Sequence, residues 1–284
     1  MTVECVRTPD EAFENLPGFN YAPNYLEDLP GYAGLRAHFI DEGPKDAEHP
    51  FLCLHGEPSW SFLYRKMAPV FLGSGGRVVA PDFFGFGRSD KPVDDAVYTF
   101  DFHRNYLKAF IERLDLKNIT LVCQDWGGLL GLTLPVEYPA RFTRMIVMNT
   151  TLAVAELPSA GFAYRQAFVP ANPDLDVGAL MGRGTGVLSD AEAAAYGAPF
   201  PDEKSKAGVR RFPEMVMIQP GMDGIEISKK AQDFLRNGWM GKCFIACGAA
   251  DPVLGLPVMQ VLKSDIRGSS ELMIIEAAGH VVQE

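Results

Sequence analysis

The stretch Ile119-Thr-Leu-Val-Cys-Gln-Asp125-Trp126-Gly127-Gly128-Leu-Leu-Gly131 limits the fold more than any other part of the chain. Its first half is apolar and β-branched and carries no charge, as a strand buried on both faces reads. Its second half opens a Gly-rich run with helical spacing, so the chain turns sharply from strand to helix around Asp125. A strand–Cys-x-Asp-x-Gly–helix turn has the spacing of the nucleophile elbow, usually written Gly-x-Ser-x-Gly. The small residues Cys123 and Gly127 let two backbones approach and leave the central side chain exposed above the sheet edge. Here that side chain is a carboxylate in place of a hydroxyl. An Asp nucleophile attacks carbon and forms an alkyl ester, so the elbow by itself points to displacement chemistry.

On either side of this unit, strands alternate with helices. Leu35–Asp41 alternates loosely and predicts an early antiparallel strand after an irregular lead-in over residues 1–34. Phe51–Leu54 reads as a buried strand ending at His55-Gly56-Glu57-Pro58, followed by a helix from about Ser59. Val78–Ala80 runs into the aromatic, Gly-rich loop Pro81–Asp90, and a helix over Thr99–Leu114 precedes the elbow strand. Met145–Met148 is the strand after the elbow helix. Between Thr151 and about Gly224 the rhythm breaks into short helices such as Ser189–Tyr196, capped by Ser189 or Asp190. It returns with a helix over Ser228–Trp239, a strand over Cys243–Cys247 that ends at Asp251, and a last strand, Leu272–Ile275, leading to Gly279-His280. The pattern predicts an α/β fold with a mostly parallel, doubly wound sheet. Residues 1–151 and 225–284 would form the core, and residues 152–224 an inserted helical cap over the strand ends, where such folds place their active sites.

Composition excludes some classes of function. A formal net charge of −10 without a run of Lys and Arg argues against a nucleic-acid surface. No apolar run is long enough to cross a membrane, and the N-terminus has no apolar signal core. The cysteines, Cys5, Cys53, Cys123, Cys243 and Cys247, are odd in number, lie mostly in apolar runs and show no metal spacing. They read as buried free thiols of a cytoplasmic protein.

Asp125, Asp251 and His280 each sit just past a different strand, in the chain order nucleophile, acid, histidine. In such a triad the acid orients and charges the imidazole, and the imidazole activates water. Taken singly, Asp251 before Pro252 reads better as a helix cap, and His280 as a surface histidine. The order and the elbow together favour the triad. The loop His55–Pro58 and the residue after the nucleophile then assign the oxyanion-hole N–H groups to Glu57 and Trp126, although His-Gly-Glu-Pro alone reads as a tight turn.

At this point the chain resembles a known family, the haloalkane dehalogenases of the α/β-hydrolase fold, over essentially its whole length. The resemblance is carried by Arg7–Asp10, His55–Trp60, Pro81–Pro92, Gln124–Gly128, Ala198–Pro201, Asp251–Gly255 and Gly279-His280. The late acid, with Asn149 and not a Glu after the strand following the elbow, resembles the subfamily that places its acid after the penultimate strand. The resemblance implies that Asp125 displaces halide from a small apolar halogenated substrate. His280, held by Asp251, then directs water onto the ester, and the Trp126 indole N–H points at the leaving halide. It implies no cofactor and no metal.

The chain departs from the family in two places. A second halide-clamping Trp is expected from the cap, but Trp60, Trp126 and Trp239 are the only tryptophans, and aligning the cap puts Arg165 at that position with Tyr164 beside it. A guanidinium could bind halide by charge and a phenol could donate one hydrogen bond; alternatively Arg165 points to solvent and the site is weakened. Family chains also continue past the histidine with a helix on the sheet, whereas nothing follows Glu284, so one sheet face would expose an apolar patch. Three readings compete with dehalogenation: an epoxide hydrolase using Tyr164 and Tyr196 as acids, a haloacid enzyme in which Arg165 grips a carboxylate, and a ligand-binding relative without turnover.

Overall fold

The computed structural model describes residues 3–156 and 159–284. Its strands are β1 (Cys5–Val6), β2 (Asn24–Leu26), β3 (Ala37–Glu42), β4 (Pro50–Leu54), β5 (Arg77–Pro81), β6 (Lys91–Pro92), β7 (Ile119–Gln124), β8 (Phe142–Met148), β9 (Lys242–Gly248) and β10 (Met273–Ile275). β1 and β6 form a small antiparallel ribbon. The other eight form one sheet in the order β10-β9-β8-β7-β4-β5-β3-β2. Neighbours from β5 to β10 run parallel, and β2 and β3 form an antiparallel edge. The expected mostly parallel, doubly wound sheet is what forms, with β5 and β7 buried at every residue. The order also explains where a site can lie. From β4 the chain passes to β5 on one side and later to β7 on the other, which leaves a crevice at the carboxyl ends of β4 and β7.

The helices are α1 (Ala68–Gly73), α2 (Phe100–Arg113), α3 (Trp126–Gly131), α4 (Ala160–Phe168), α5 (Val177–Thr185), α6 (Asp190–Gly197), α7 (Ala207–Met215), α8 (Ile225–Asp233) and α9 (Leu256–Asp265). Thr99 caps α2, its Oγ1 accepting the Phe102 N–H at 3.0 Å. Two helices are less regular than their sequence patterns suggest. The helix expected from Ser59 splits into a tight turn over Ser61–Tyr64 and α1, because Pro69 lacks an N–H to continue a ladder. The one expected over Ser228–Trp239 begins earlier, as α8, and widens over Phe234–Gly238. The lead-in is also less irregular than expected, since it supplies β1 and β2, which gain their pairing only from distant partners.

Between β8 and α8 lie α4 to α7, with no strand among the described residues. Ser159 caps α4, Asp176 caps α5, and Ser189 with Glu192 forms a reciprocal capping box on α6. This segment is tied to the sheet body by the Trp60 indole, which donates to the Ala195 carbonyl at 3.2 Å, and by Arg65 paired with Glu192 at 2.7 Å. At the β10 edge Phe244, Met273, Ile274 and Ile275 are exposed. No described helix is long and apolar enough to cross a membrane.

Candidate active site

Asp125 stands between β7 and α3 with φ +51° and ψ −124°, a conformation that a residue with a Cβ rarely adopts. Its surroundings enforce it: the Asp125 N–H donates to the Asn149 carbonyl at 2.9 Å, and Thr150 Oγ1 donates to the Asp125 carbonyl at 2.7 Å. The turn also needs Gly127, where a Cβ would lie 2.0 Å from the Leu54 carbonyl oxygen. The result is the sharp elbow read from the sequence, with its carboxylate aimed into the crevice.

The three triad candidates meet there. His280 Nδ1 lies 2.8 Å from Asp251 Oδ2, and His280 Nε2 lies 3.5 Å from Asp125 Oδ2. Asp251 is fixed in turn by the Val253 N–H and by the Asn149 amide, each at 2.8 Å. Burial opposes ionisation of Asp251, yet the imidazole and these donors hold its pKa at about 2. Burial likewise opposes a charge on His280, but Asp251 and Asp125 push its pKa up to about 10. The Asp125 carboxyl is held below its usual range against burial, by His280 and by the Glu57 and Trp126 N–H groups. The Glu57 N–H reaches Asp125 Oδ1 at 2.8 Å. Both N–H groups assigned to the oxyanion hole thus point at the carboxylate that would become the ester.

These groups open into a cavity of about 190 Å³ with mostly apolar walls from Trp126, Leu129, Phe162, Leu180, Met181, Val216 and Leu254. The Trp126 ring lies against Phe212 at 4.8 Å, and its indole N–H makes no hydrogen bond among the described residues. Arg165 lines the same cavity and does not point to solvent. Its guanidinium donates to Glu57 Oε2 at 2.8 Å, and the other oxygen of this buried carboxylate, Oε1, has no partner among the described residues. Burial pushes the Glu57 pKa up, and Arg165 works against that shift.

The other cap candidates fall elsewhere. Tyr164 is 71% exposed and stacks on Phe168, so its expected role as a halide donor does not survive. Adjacent helical residues point about 100° apart, and with Arg165 turned inward Tyr164 must turn out. Tyr196 is buried against Phe62 and bonds Glu284 through its hydroxyl, away from the cavity. No tyrosine lines the cavity among the described residues, which removes the acid an epoxide hydrolase would need.

Two contributors were not legible as site residues. Asn149 was read only as the absence of an earlier acid, but it braces both the elbow backbone and Asp251. Glu57, considered only for its backbone N–H, also supplies through its side chain the counter-ion of Arg165. Among the described residues no cluster of side chains could hold a metal.

Comparison with known proteins agrees with this geometry. The family described as alpha/beta hydrolase fold matches residues 49–284. A haloalkane dehalogenase of Psychrobacter cryohalolentis is 43% identical, covering 99% of this chain and 94% of that protein. One of Mycobacterium marinum is 40% identical, with 99% and 95% covered. Among solved structures, the tetrameric haloalkane dehalogenase DpaA from Paraglaciecola agarilytica NO2 superposes with a TM-score of 0.97 at 51% identity, covering 99% of this chain and 94% of that one. With the elbow, the strand order and a similarity of 40–51% identity over nearly the whole chain in agreement, the chain belongs to the haloalkane dehalogenases of the alpha/beta hydrolase fold.

Proposed function

We propose that this protein hydrolyses small apolar haloalkanes to alcohol and halide through an alkyl ester on Asp125. The observation that carries the reading is the Asp125 carboxylate itself, ionised, aimed into an apolar cavity and backed by a histidine–aspartate pair. One Asp125 oxygen attacks the halogen-bearing carbon, the carbon–halogen bond breaks and halide leaves toward the Trp126 indole N–H, a weak fixed donor suited to a dry site. Arg165 supplies a second, charged donor on the cap side, tempered by Glu57.

Esterification changes the electrostatics of the base. The resting imidazole is held protonated partly by the Asp125 charge, and the ester removes that charge. His280 then loses its proton to solvent, takes one from water as the water attacks the ester carbonyl, and the Glu57 and Trp126 N–H groups hold the oxyanion. Collapse of the tetrahedral intermediate expels the alcohol, which takes its proton from the added hydroxyl. Asp125 is again a carboxylate and His280 again charged. The helices of residues 152–224 act as the cap that keeps bulk water out, and the reaction needs no cofactor or metal. Five unpaired cysteines fit a cytoplasmic setting.

The test is to trap the intermediate. In a His280→Phe variant given bromoethane, the intact mass should rise by one ethyl group, located on Asp125 by peptide mapping. An unmodified protein would contradict the covalent route.

A further inference from the structure

Gln124, the last residue of β7, has no part in the chemistry above, yet its buried side chain reaches His280 at two points. Its Nε2 lies 3.0 Å from the His280 carbonyl oxygen and 3.1 Å from His280 Nε2. A carbonyl oxygen only accepts, so this end of the amide must be the –NH2 and not the oxygen. The same –NH2 therefore faces the imidazole, and it can only donate. A favourable contact requires a lone pair on Nε2, which is the neutral ring with its proton on Nδ1, where Asp251 Oδ2 accepts it at 2.8 Å. The protonated Nε2 of the resting enzyme instead sets donor against donor, which the Asp125 carboxylate beside it offsets until esterification removes that charge.

We propose that Gln124 is a positioning residue that holds His280 in its base tautomer and lowers the proton affinity of Nε2 in the alkyl-enzyme. The inference rests on the ester mechanism above. The charged groups facing the ring are Asp251 on Nδ1, Asp125 beside Nε2, and the Glu57 carboxylate, which is balanced by Arg165. All three carboxylates favour the imidazolium. Asp125 loses its charge on esterification, Glu57 is compensated and Asp251 is constant. Gln124 is the contact that disfavours the charged ring at the stage when a base is needed, while its bond to the His280 carbonyl fixes the loop carrying the ring.

The experiment is a pH profile of alkyl-enzyme hydrolysis, followed by rapid quench with bromoethane in the parent, Gln124→Met and Gln124→Glu. Methionine keeps the length without the donor; glutamate keeps the shape and reverses the polarity. The acid limb should move to higher pH by roughly one unit in Gln124→Met, the worth of one hydrogen bond, and further in Gln124→Glu. The initial burst of halide should keep its rate, and alkyl-enzyme should accumulate at neutral pH. An unmoved limb in both variants, or a burst slowed in step with hydrolysis, would overturn the assignment and leave Gln124 a purely structural residue. If the parent itself forms no ester, the Asp125 mechanism fails instead, and mass analysis reads that separately. A nitrogen NMR spectrum of His280 in Asp125→Asn, where the nucleophile's charge is absent, tests the same point without changing Gln124. The neutral ring with its proton on Nδ1 is expected, and a ring protonated on Nε2 at neutral pH would refute the proposal.

Discussion

Arg165 and Glu57 show how one charged residue shapes an apolar site. An arginine inside an apolar cavity needs a counter-charge, and Glu57 supplies it from the loop after β4, 108 positions away in sequence. Removing either partner strands the other in a low-dielectric site. Arg165→Met should therefore lower stability by about 2 kcal/mol, less than for a fully buried pair because the guanidinium retains some exposure, and Arg165→Met with Glu57→Gln should recover most of that. Urea denaturation of the single and double variants measures it, and a single variant as stable as the parent would show that the pair contributes nothing. This pairing was not legible in the sequence. The position of Arg165 followed from counting along the cap, but its direction depends on a contact that no local pattern records. The three triad candidates could be picked out because each lies within a few residues of the end of a different strand, in the chain order nucleophile, acid, histidine. The contact Gln124 makes was not legible for the same reason as the ion pair, its partner lying 156 residues on.

Helices α4 to α6, between β8 and α8, start on side-chain caps and end near glycine or proline, so their positions are set locally while their packing is not. That is why Ser189–Tyr196 was found within a residue of α6, whereas nothing in the sequence indicated that Ala195 would meet Trp60. The parallel strands were found to within a residue at each end, except β8, which begins three residues before Met145, since buried parallel strands leave apolar runs. The two-residue ribbon and β2 were missed because such short strands carry no periodicity. Replacing Ser189 with Ala removes one half of the capping box and should cost about 1 kcal/mol. The loss should appear as faster amide exchange confined to α6, with the exchange of β4 and β7 unchanged. Faster exchange throughout the sheet would mean that α6 and the sheet unfold as one unit.

For the molecule as a whole, buried charge governs the response to pH. Asp82 follows the carboxyl end of β5, taking His38 Nδ1 at 2.6 Å and the Ser61 and Arg88 N–H groups, and despite burial its pKa is held at about 2. Asp251 is held at about 2 as well. Both folded values lie below the unfolded value of about 3.9. Their stabilisation is therefore fully present above about pH 4 and is lost as pH falls toward about 2. His280 acts in the opposite sense. Its raised pKa contributes stability that is complete below the unfolded value of about 6.5 and is lost as pH rises through about 10. The urea midpoint should hence fall steeply on acidification and decline again at high pH, and a flat acid limb would show that these carboxylates are not buried as pairs. The central claim concerns a single carboxylate, and the measurement that tests it most directly is halide release from dibromoethane by the purified protein beside an Asp125→Asn control of equal folded content. Steady release that vanishes in the control is the predicted result. Release that persists in the control, or none from the folded parent, would contradict the displacement mechanism.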